Sequence, residues 1–174
     1  MAASESNSVQ WPFFVNLAPQ ERQQVLQLFE HETYPKGEMI LREGKSTQYL
    51  WIIVRGRCEV LKMGKNGFEQ QLDILEPGAI FGEMSFFQPA PHSASVRTLS
   101  DVEVMWLSRE RFDQLLEDGT TAAYKIVFSI VTVLAKRLRK MDEWVRDLVE
   151  QSPTAEHREE WQEFRVKLYS DWRF

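Results

Sequence analysis

Cysteine and histidine are scarce in this sequence, and their scarcity excludes several kinds of site. The 174 residues contain one cysteine, Cys58, so an internal disulfide and a zinc site built from several thiolates are both excluded. The three histidines, His31, His92 and His157, lie far apart and form no His-X-His pair, so we predict no bound metal. Because Cys58 falls within an apolar segment, we interpret it as a small buried core residue.

Sequence motifs of catalysis are also missing. The chain has no glycine-rich Walker loop and no Gly-X-Ser-X-Gly elbow around a serine nucleophile. The sequence offers no histidine on a loop facing Cys58 that could activate its thiol. We therefore predict a protein that is not an enzyme.

Long hydrophobic runs are absent as well. The longest apolar-rich stretch, 122–135, is interrupted by Lys125, Ser129 and Thr132, and it is too short and too polar to cross a bilayer. The first residues lack the basic and apolar segments of a secretory signal. The net charge of −5 does not favour nonspecific binding to nucleic acid. We expect a soluble, cytoplasmic protein with no membrane partner.

Short apolar segments separated by glycines occupy the middle of the chain. An apolar stripe after Pro19 first predicts a helix over 19–31. Beyond it, glycine-containing turns separate strand-like segments at 39–42, 49–54, 58–62, 68–75, 94–98 and 102–107. The pattern amounts to about seven short strands between 33 and 108. Such regular turn spacing indicates an antiparallel sandwich or barrel.

Helical periodicity replaces the strand pattern after Leu107. A short helix is predicted over 109–117, followed by Gly119. A heptad pattern then places apolar residues at alternating intervals of three and four, at Tyr124, Val127, Val131, Leu134, Leu138, Met141, Val145 and Leu148. Pro153 ends this helix, and a last amphipathic stretch has apolar residues on one face at Trp161, Phe164, Leu168 and Trp172.

The most specific signal lies between these two regions. Residues 81–84 read Phe-Gly-Glu-Met, and 92–96 read His-Ser-Ala-Ser-Val shortly afterwards. With this spacing and this order of elements, residues 13–150 resemble the cyclic nucleotide-binding domain. That module occurs in catabolite-activator-type regulators, in regulatory subunits of cyclic-nucleotide-dependent kinases and in cyclic-nucleotide-gated channels.

The resemblance implies a fold and a domain organisation. The fold would be an all-β jelly roll, or double-stranded β-helix, with flanking α-helices and a long C-terminal helix. Residues 1–12 would be a disordered N-terminus, and 13–118 the jelly roll with its N-terminal helix. Residues 119–151 would be a dimerisation helix, and 152–174 an amphipathic aromatic helix.

The resemblance also implies a ligand site. A helical turn at 83–86 would direct backbone N–H groups at a phosphate, and Glu83 stands where the family accepts a hydrogen bond from the ribose 2′-hydroxyl. Ser93 stands where the family contacts phosphate or guanine. The expected ligand is a cyclic nucleotide such as cAMP or cGMP, or a nucleoside. The expected ligand-binding residues are Phe81, Gly82, Glu83, Met84, Ser85, His92, Ser93 and Ala94.

At the position where the family has a phosphate-binding arginine, this sequence has His92. Arginine is always charged and forks onto two oxygens, whereas an unperturbed histidine is mostly neutral near pH 7. Three interpretations follow. The pocket binds a cyclic nucleotide weakly, with Arg97 or a base contact compensating. It accepts an uncharged relative such as a nucleoside, or another small ligand. Or it is vestigial, with the jelly roll kept as a scaffold.

The long helix has two interpretations. In the resembled family it pairs with its twin, which predicts a homodimer through Val127, Val131, Leu134, Leu138, Met141, Val145 and Leu148. Alternatively, it packs only on its own β-roll. The basic run 136–140 is interpreted as a solvated helix face, with a patch for nucleic acid or an acidic partner as the alternative.

The last 22 residues, 153–174, are too few for a winged helix-turn-helix, so we expect no direct binding to DNA. Their aromatic face is expected to dock on its own domain, on a dimer mate or on a downstream protein partner. The leading hypothesis is a non-catalytic, dimeric cyclic-nucleotide-binding-like sensor. The alternative is a scaffold or protein-interaction module with a vestigial pocket.

Overall fold

The computed structural model describes residues 11–64, 67–151, 163 and 166, with side chains described up to Asp147 in the last helix. The chain divides into two compact units, Met1–Ile130 and Val131–Phe174. In chain order the described elements are α1 (Pro19–Leu26), β1 (Glu30–Tyr34), β2 (Met39–Leu41), β3 (Tyr49–Arg55), β4 (Cys58–Met63), β5 (Glu69–Leu75), β6 (Ile80–Phe81), α2 (Glu83–Phe87), β7 (Ser95–Thr98), β8 (Val102–Ser108), α3 (Arg109–Glu117) and α4 (Thr121–Gln151). The predictions for residues 1–10 and for Trp161, Phe164, Leu168 and Trp172 lie outside the described residues.

The first unit holds two four-stranded antiparallel sheets, ordered β1-β8-β3-β6 and β2-β7-β4-β5. Neighbours in each sheet are distant in sequence, except for the β4–β5 hairpin. Consecutive strands therefore often lie in different sheets, so the chain crosses repeatedly between the two sheets. This is the topology of a jelly roll, and the predicted fold is confirmed. The strand segments predicted from turn spacing are found to within one residue at each end.

One prediction about local structure is wrong, and one short strand was missed. The first helix ends at Leu26 instead of continuing to His31, and Glu30–Tyr34 forms strand β1. The short strand β6 was not predicted at all. In both places, pairing with a distant strand decides the conformation: Glu30 lies opposite Trp106 on β8, and Phe81 lies opposite Trp51 on β3. Such long-range backbone hydrogen bonds leave no local periodicity in the sequence.

The core between the sheets consists of alternate residues on facing strands. Its buried members are Leu41, Trp51, Ile53, Cys58, Leu75, Phe81, Val96, Val102 and Val104. The intervening residues Leu50, Ile52, Met105 and Leu107 are also fully buried, so β3 and β8 are covered on both faces. The interpretation of Cys58 as a core residue is confirmed, and burial raises the pKa of its thiol to about 11.

An ion pair joins α1 to the start of α4 within the first unit. The Lys125 ammonium donates to both carboxylate oxygens of Glu21, at 2.9 and 2.6 Å, and the Thr121 hydroxyl donates to the same group at 2.7 Å. Glu21 also accepts the Ala18 N–H, which begins α1. With the Lys125 and Thr121 hydrogen bonds as the main causes, the pKa of Glu21 is lowered to about 2.

The second unit begins within α4. From Val131 onward this helix exposes the apolar side chains of Val131, Leu138, Met141 and Trp144, and the Lys140 ammonium lies 4.8 Å from the centre of the Trp144 ring. Within the described residues, no helix is long and apolar enough to cross a membrane.

Candidate functional site

A left-handed turn at Gly82 begins the candidate site. Gly82 has φ +79°, and it joins β6 to the short helix α2. A Cβ atom here would lie 2.6 Å from the Trp51 ring and 2.7 Å from the Tyr49 carbonyl oxygen. Only glycine combines this φ with such a close approach to a neighbouring strand. The predicted helical turn after it is confirmed, since α2 spans Glu83–Phe87.

An aromatic layer supports this turn. The Phe81 and Trp51 rings are stacked with centroids 5.5 Å apart and planes 6° from parallel. Tyr49 meets Trp51 edge-on at 5.5 Å, and the His92 ring approaches Trp51 at 6.4 Å. Phe81 is therefore a buried part of the floor of the site.

Helix α2 turns two polar side chains inward. Glu83 and Ser85 are buried, as is Phe86, while Met84 is 61% exposed. The Arg109 guanidinium donates to the Phe86 and Phe87 carbonyl oxygens at the far end of the helix. A cation at that end satisfies free carbonyl groups and matches the direction of the helix dipole.

His92 is buried within the protein, with 6% of its surface exposed. Its Nδ1 atom lies 2.6 Å from the Ser85 hydroxyl, and its Nε2 atom lies 2.8 Å from the Thr47 hydroxyl. In a neutral imidazole one nitrogen donates and the other accepts, so the two hydroxyls satisfy the ring completely. Burial lowers the pKa of His92, which keeps the ring uncharged at neutral pH.

Backbone hydrogen bonds fix the same loop. The His92 N–H donates to the Lys45 carbonyl at 2.8 Å, and the Gly44 N–H donates to the His92 carbonyl at 3.0 Å. The segment between β2 and β3 is thereby joined to the segment before β7, and Ser85 links both to α2. Thr47 had no sequence signal, because it lies 45 residues from His92 in the chain.

Ser93 and Lys62 are hydrogen-bonded to each other beside the first turn of α2. The Ser93 hydroxyl donates to the Met84 sulfur at 3.6 Å, and the Lys62 ammonium donates to the Ser93 carbonyl at 2.5 Å. Lys62 also forms an ion pair with Glu43 at 3.1 Å. Sequence reasoning missed Lys62. Its position two residues after Val60 and four after Cys58 does indicate that all three share one face of the predicted strand.

Arg97 is engaged elsewhere. Its guanidinium donates to Glu59 at 2.8 Å and to Glu69 at 3.0 Å, across β4 and β5. The hydrogen bond to Glu59, followed by the charges of both carboxylates, raises the pKa of Arg97. The hypothesis that Arg97 compensates for His92 therefore lacks support from the geometry.

The structure thus gathers most of the predicted ligand residues into one place. Gly82, Glu83, Met84 and Ser85 form the turn and first half of α2, while the 92–94 segment follows it and leads into β7. His92 and Ser93 each contact a residue of α2 directly.

The predicted dimer face lies on α4. Val131, Leu138 and Met141 are exposed, Val127, Leu134 and Val145 are partly buried, and the Leu148 side chain lies outside the described part of the chain. The heptad pattern omitted Phe128, which is 65% exposed on the first part of this helix.

Comparisons with known proteins agree with this fold. The family model of the cyclic nucleotide-binding domain matches residues 31–118. A curated relative, the cyclic AMP receptor protein of Thermus thermophilus, is 33% identical over 131 residues, covering 75% of this chain and 59% of the relative. The cAMP-dependent protein kinase regulatory subunit of Blastocladiella emersonii is 30% identical over 105 residues, covering 60% of this chain and 26% of the subunit.

A solved structure extends the likeness to three dimensions. The crystal structure of the Thermus thermophilus catabolite activator protein superposes with a TM-score of 0.71 at 31% identity, over 79% of this chain and 62% of that one. The chain spans about three fifths of the length of the Thermus relative and about a quarter of the kinase subunit. By their names, the first of these relatives is a receptor for cyclic AMP and the second is the regulatory subunit of a cAMP-dependent kinase.

Proposed function

We propose that this chain, which belongs to the cyclic nucleotide-binding domain family, is a non-catalytic sensor that binds a cyclic nucleotide beside α2. The observation that carries the proposal is the turn at Gly82. Its left-handed backbone leads directly into α2, on which Glu83 and Ser85 are buried, and Ser93 contacts Met84 on the same helix. The resemblance to the family implies that the ligand binds beside these residues. Glu83 is the proposed acceptor for the ribose 2′-hydroxyl.

The ligand affinity is proposed to be lower than an arginine at position 92 would give. His92 is neutral, and its two nitrogens are already hydrogen-bonded to Ser85 and Thr47. A hydrogen bond to a charged group contributes about 1.5–3 kcal/mol. Loss of one such bond lowers affinity by roughly ten- to hundredfold. A nucleoside, which carries no phosphate charge, would not suffer this loss.

The second candidate function is a scaffold with an unused pocket. The hydrogen bonds of His92 favour it, because Ser85 and Thr47 satisfy the ring without any ligand. A site that is internally satisfied needs no small molecule to stay folded. In that case the useful surfaces would be α4 and the 152–174 segment, acting on a downstream protein partner.

Titration with cAMP, cGMP, adenosine and guanosine distinguishes the two functions. Binding to the folded state raises the melting temperature in a saturable manner. We expect such a rise with at least one cyclic nucleotide, and a weaker rise with Glu83→Gln, which keeps the shape of the side chain but removes its charge. Glu76→Gln, in the turn before β6, is the matched control. A wild-type protein that responds to none of the four compounds at millimolar concentration would overturn the sensor and leave the scaffold.

We also propose that the sensor is a homodimer through α4. Val131, Leu138 and Met141 present apolar surface at heptad spacing, and exposed apolar side chains on a helix are typical of a helix-pairing face. Ligand binding would then favour one arrangement of the paired helices over another, which a partner protein reads.

The oligomeric state tests the dimer. Leu134→Asp combined with Leu138→Asp places two charges on the proposed seam, and we expect a monomeric mass by light scattering. Arg139→Asp, on the same helix at an exposed position, should leave the dimer intact. A double variant that keeps the dimeric mass would show that another surface joins the two chains.

A further inference from the structure

The site needs a cation for an anionic ligand, and residue 92 does not provide one. The His92 ring is uncharged, buried and hydrogen-bonded through both nitrogens to Ser85 and Thr47. To reach a phosphate it would have to give up both hydrogen bonds, and the buried Ser85 hydroxyl would then be left unsatisfied inside the protein, which is costly. The positive charge must therefore come from another side chain near α2.

Two cationic side chains that the structure describes donate to the 83–94 segment. Arg109 binds the carbonyl oxygens of Phe86 and Phe87, at the end of α2 remote from Gly82, and its guanidinium is also paired with Asp113 at 2.7 Å. Lys62 binds the Ser93 carbonyl instead. Ser93 contacts Met84, in the first turn of α2, so Lys62 stands at the Gly82 end of the helix.

We infer that Lys62 is the residue that recognises the anionic group of the ligand, in place of a cation at position 92. The inference rests on the proposed function, because it concerns the same site. Lys62 follows Cys58 and Val60 at alternate positions of β4, and both of those residues belong to the core between the sheets or pack against it. Its side chain therefore leaves β4 on the same face as these two residues, and it is 47% exposed.

Glu43 holds the Lys62 ammonium beside Ser93. One Glu43 oxygen lies 3.1 Å from the ammonium, and the other accepts the Met63 N–H at 2.9 Å. The hydrogen bonds from Met63 and then Lys62 lower the pKa of Glu43, so the carboxylate stays charged. The Glu43 N–H itself donates to the Ser95 hydroxyl, which fixes the backbone beside β7.

The chemistry of an ammonium group suits this role. Lysine has three N–H donors, and the described contacts with Glu43 and the Ser93 carbonyl use two of them. A phosphate oxygen can take the third, or can displace the neutral Ser93 carbonyl, while Glu43 holds the side chain in place. Lysine acts as a point charge and not as a planar fork, so it recognises the charge of the ligand more than the geometry of two oxygens.

The test measures binding of cAMP and adenosine, and of cGMP and guanosine, by isothermal titration calorimetry. Lys62→Gln should weaken binding of the cyclic nucleotides by about ten- to hundredfold and change nucleoside binding less than about threefold. Lys62→Arg should restore most of the affinity, because it keeps the charge. Lys36→Gln is the control: it removes an equal charge from an exposed residue beyond the Thr98 end of β7, away from Ser93. Melting temperatures of the free variants confirm that each is folded.

The outcomes separate this inference from the proposed function. If wild-type protein binds the cyclic nucleotide and Lys62→Gln binds it as well as Lys36→Gln does, the role of Lys62 is overturned while the sensor stands. Equal losses with the nucleotide and with its nucleoside would also overturn it, because they would show a structural effect and not recognition of charge. If wild-type protein binds none of the four compounds, the sensor itself fails and the role of Lys62 fails with it.

Discussion

Replacing Gly82 with alanine tests whether the close approach of the turn to β3 is what requires glycine there. Two costs are expected. An L-residue in the left-handed region loses about 1–2 kcal/mol relative to glycine. The added Cβ would also lie 2.6 Å from the Trp51 ring, and overpacking of a core costs about 1–3 kcal/mol. The expected loss in the free energy of unfolding is therefore about 2–5 kcal/mol.

Gly44 provides a matched control. It has φ +78°, almost the same as the +79° of Gly82, but a Cβ there would meet nothing within 4 Å. Gly44→Ala should therefore show only the conformational cost of about 1–2 kcal/mol. The effect of alanine on the unfolded chain is similar at both positions and cancels in the comparison. The difference between the two variants isolates the close approach to β3, through the Trp51 ring and the Tyr49 carbonyl oxygen.

Urea unfolding followed by tryptophan fluorescence measures both variants. The expected order of stability is wild type, then Gly44→Ala, then Gly82→Ala, and loss of any cooperative transition in Gly82→Ala counts as the largest loss. A domain of this size has about 5–15 kcal/mol of stability, so the expected difference is easily measured. Equal losses in the two variants would refute the steric argument and leave only the backbone requirement.

Three further predictions concern titratable groups. Because the pKa of His92 is lowered on folding, the unfolded chain takes up a proton first as pH falls, and the free energy of unfolding should decrease below about pH 6.5. Urea unfolding of His92→Gln should lack this decrease, while His31→Gln should keep it. The pKa of Glu21 is about 2 in the folded protein and 4.5 in the unfolded chain, so its contribution to the free energy of unfolding is present above pH 4.5 and is lost between pH 4.5 and 2. The stability of Glu21→Gln should depend less on pH in that window. An unchanged slope of stability against pH would contradict the Glu21–Lys125 ion pair. The Cys58 thiol should react with iodoacetamide far more slowly in the native protein than in urea, since it is buried with a pKa of about 11; equal rates would mean that the β4 core opens readily.

Much of the architecture could be predicted from the sequence because its causes are local. Apolar segments between glycine turns located six of the described strands, β2 to β5, β7 and β8, to within a residue, since period and turn chemistry act over a few neighbouring positions. The helical turn after Gly82 was implied by the resemblance of residues 81–84 to the family, and α2 is found there. The local pattern predicted a helix as far as His31, but pairing with β8 makes Glu30–Tyr34 a strand.

The chemistry of the site was decided by the tertiary structure. Sequence analysis marked His92 as the residue that replaces an arginine, but only the fold placed it between Ser85 and Thr47, where burial and two hydroxyls make it a neutral structural group. Lys62 carried no signal in the sequence, yet its ammonium, at the end of β4, is hydrogen-bonded to the Ser93 carbonyl. The order of strands and turns follows from interactions between near neighbours, whereas the partner of a buried polar group depends on which distant segments the finished core brings within hydrogen-bonding distance.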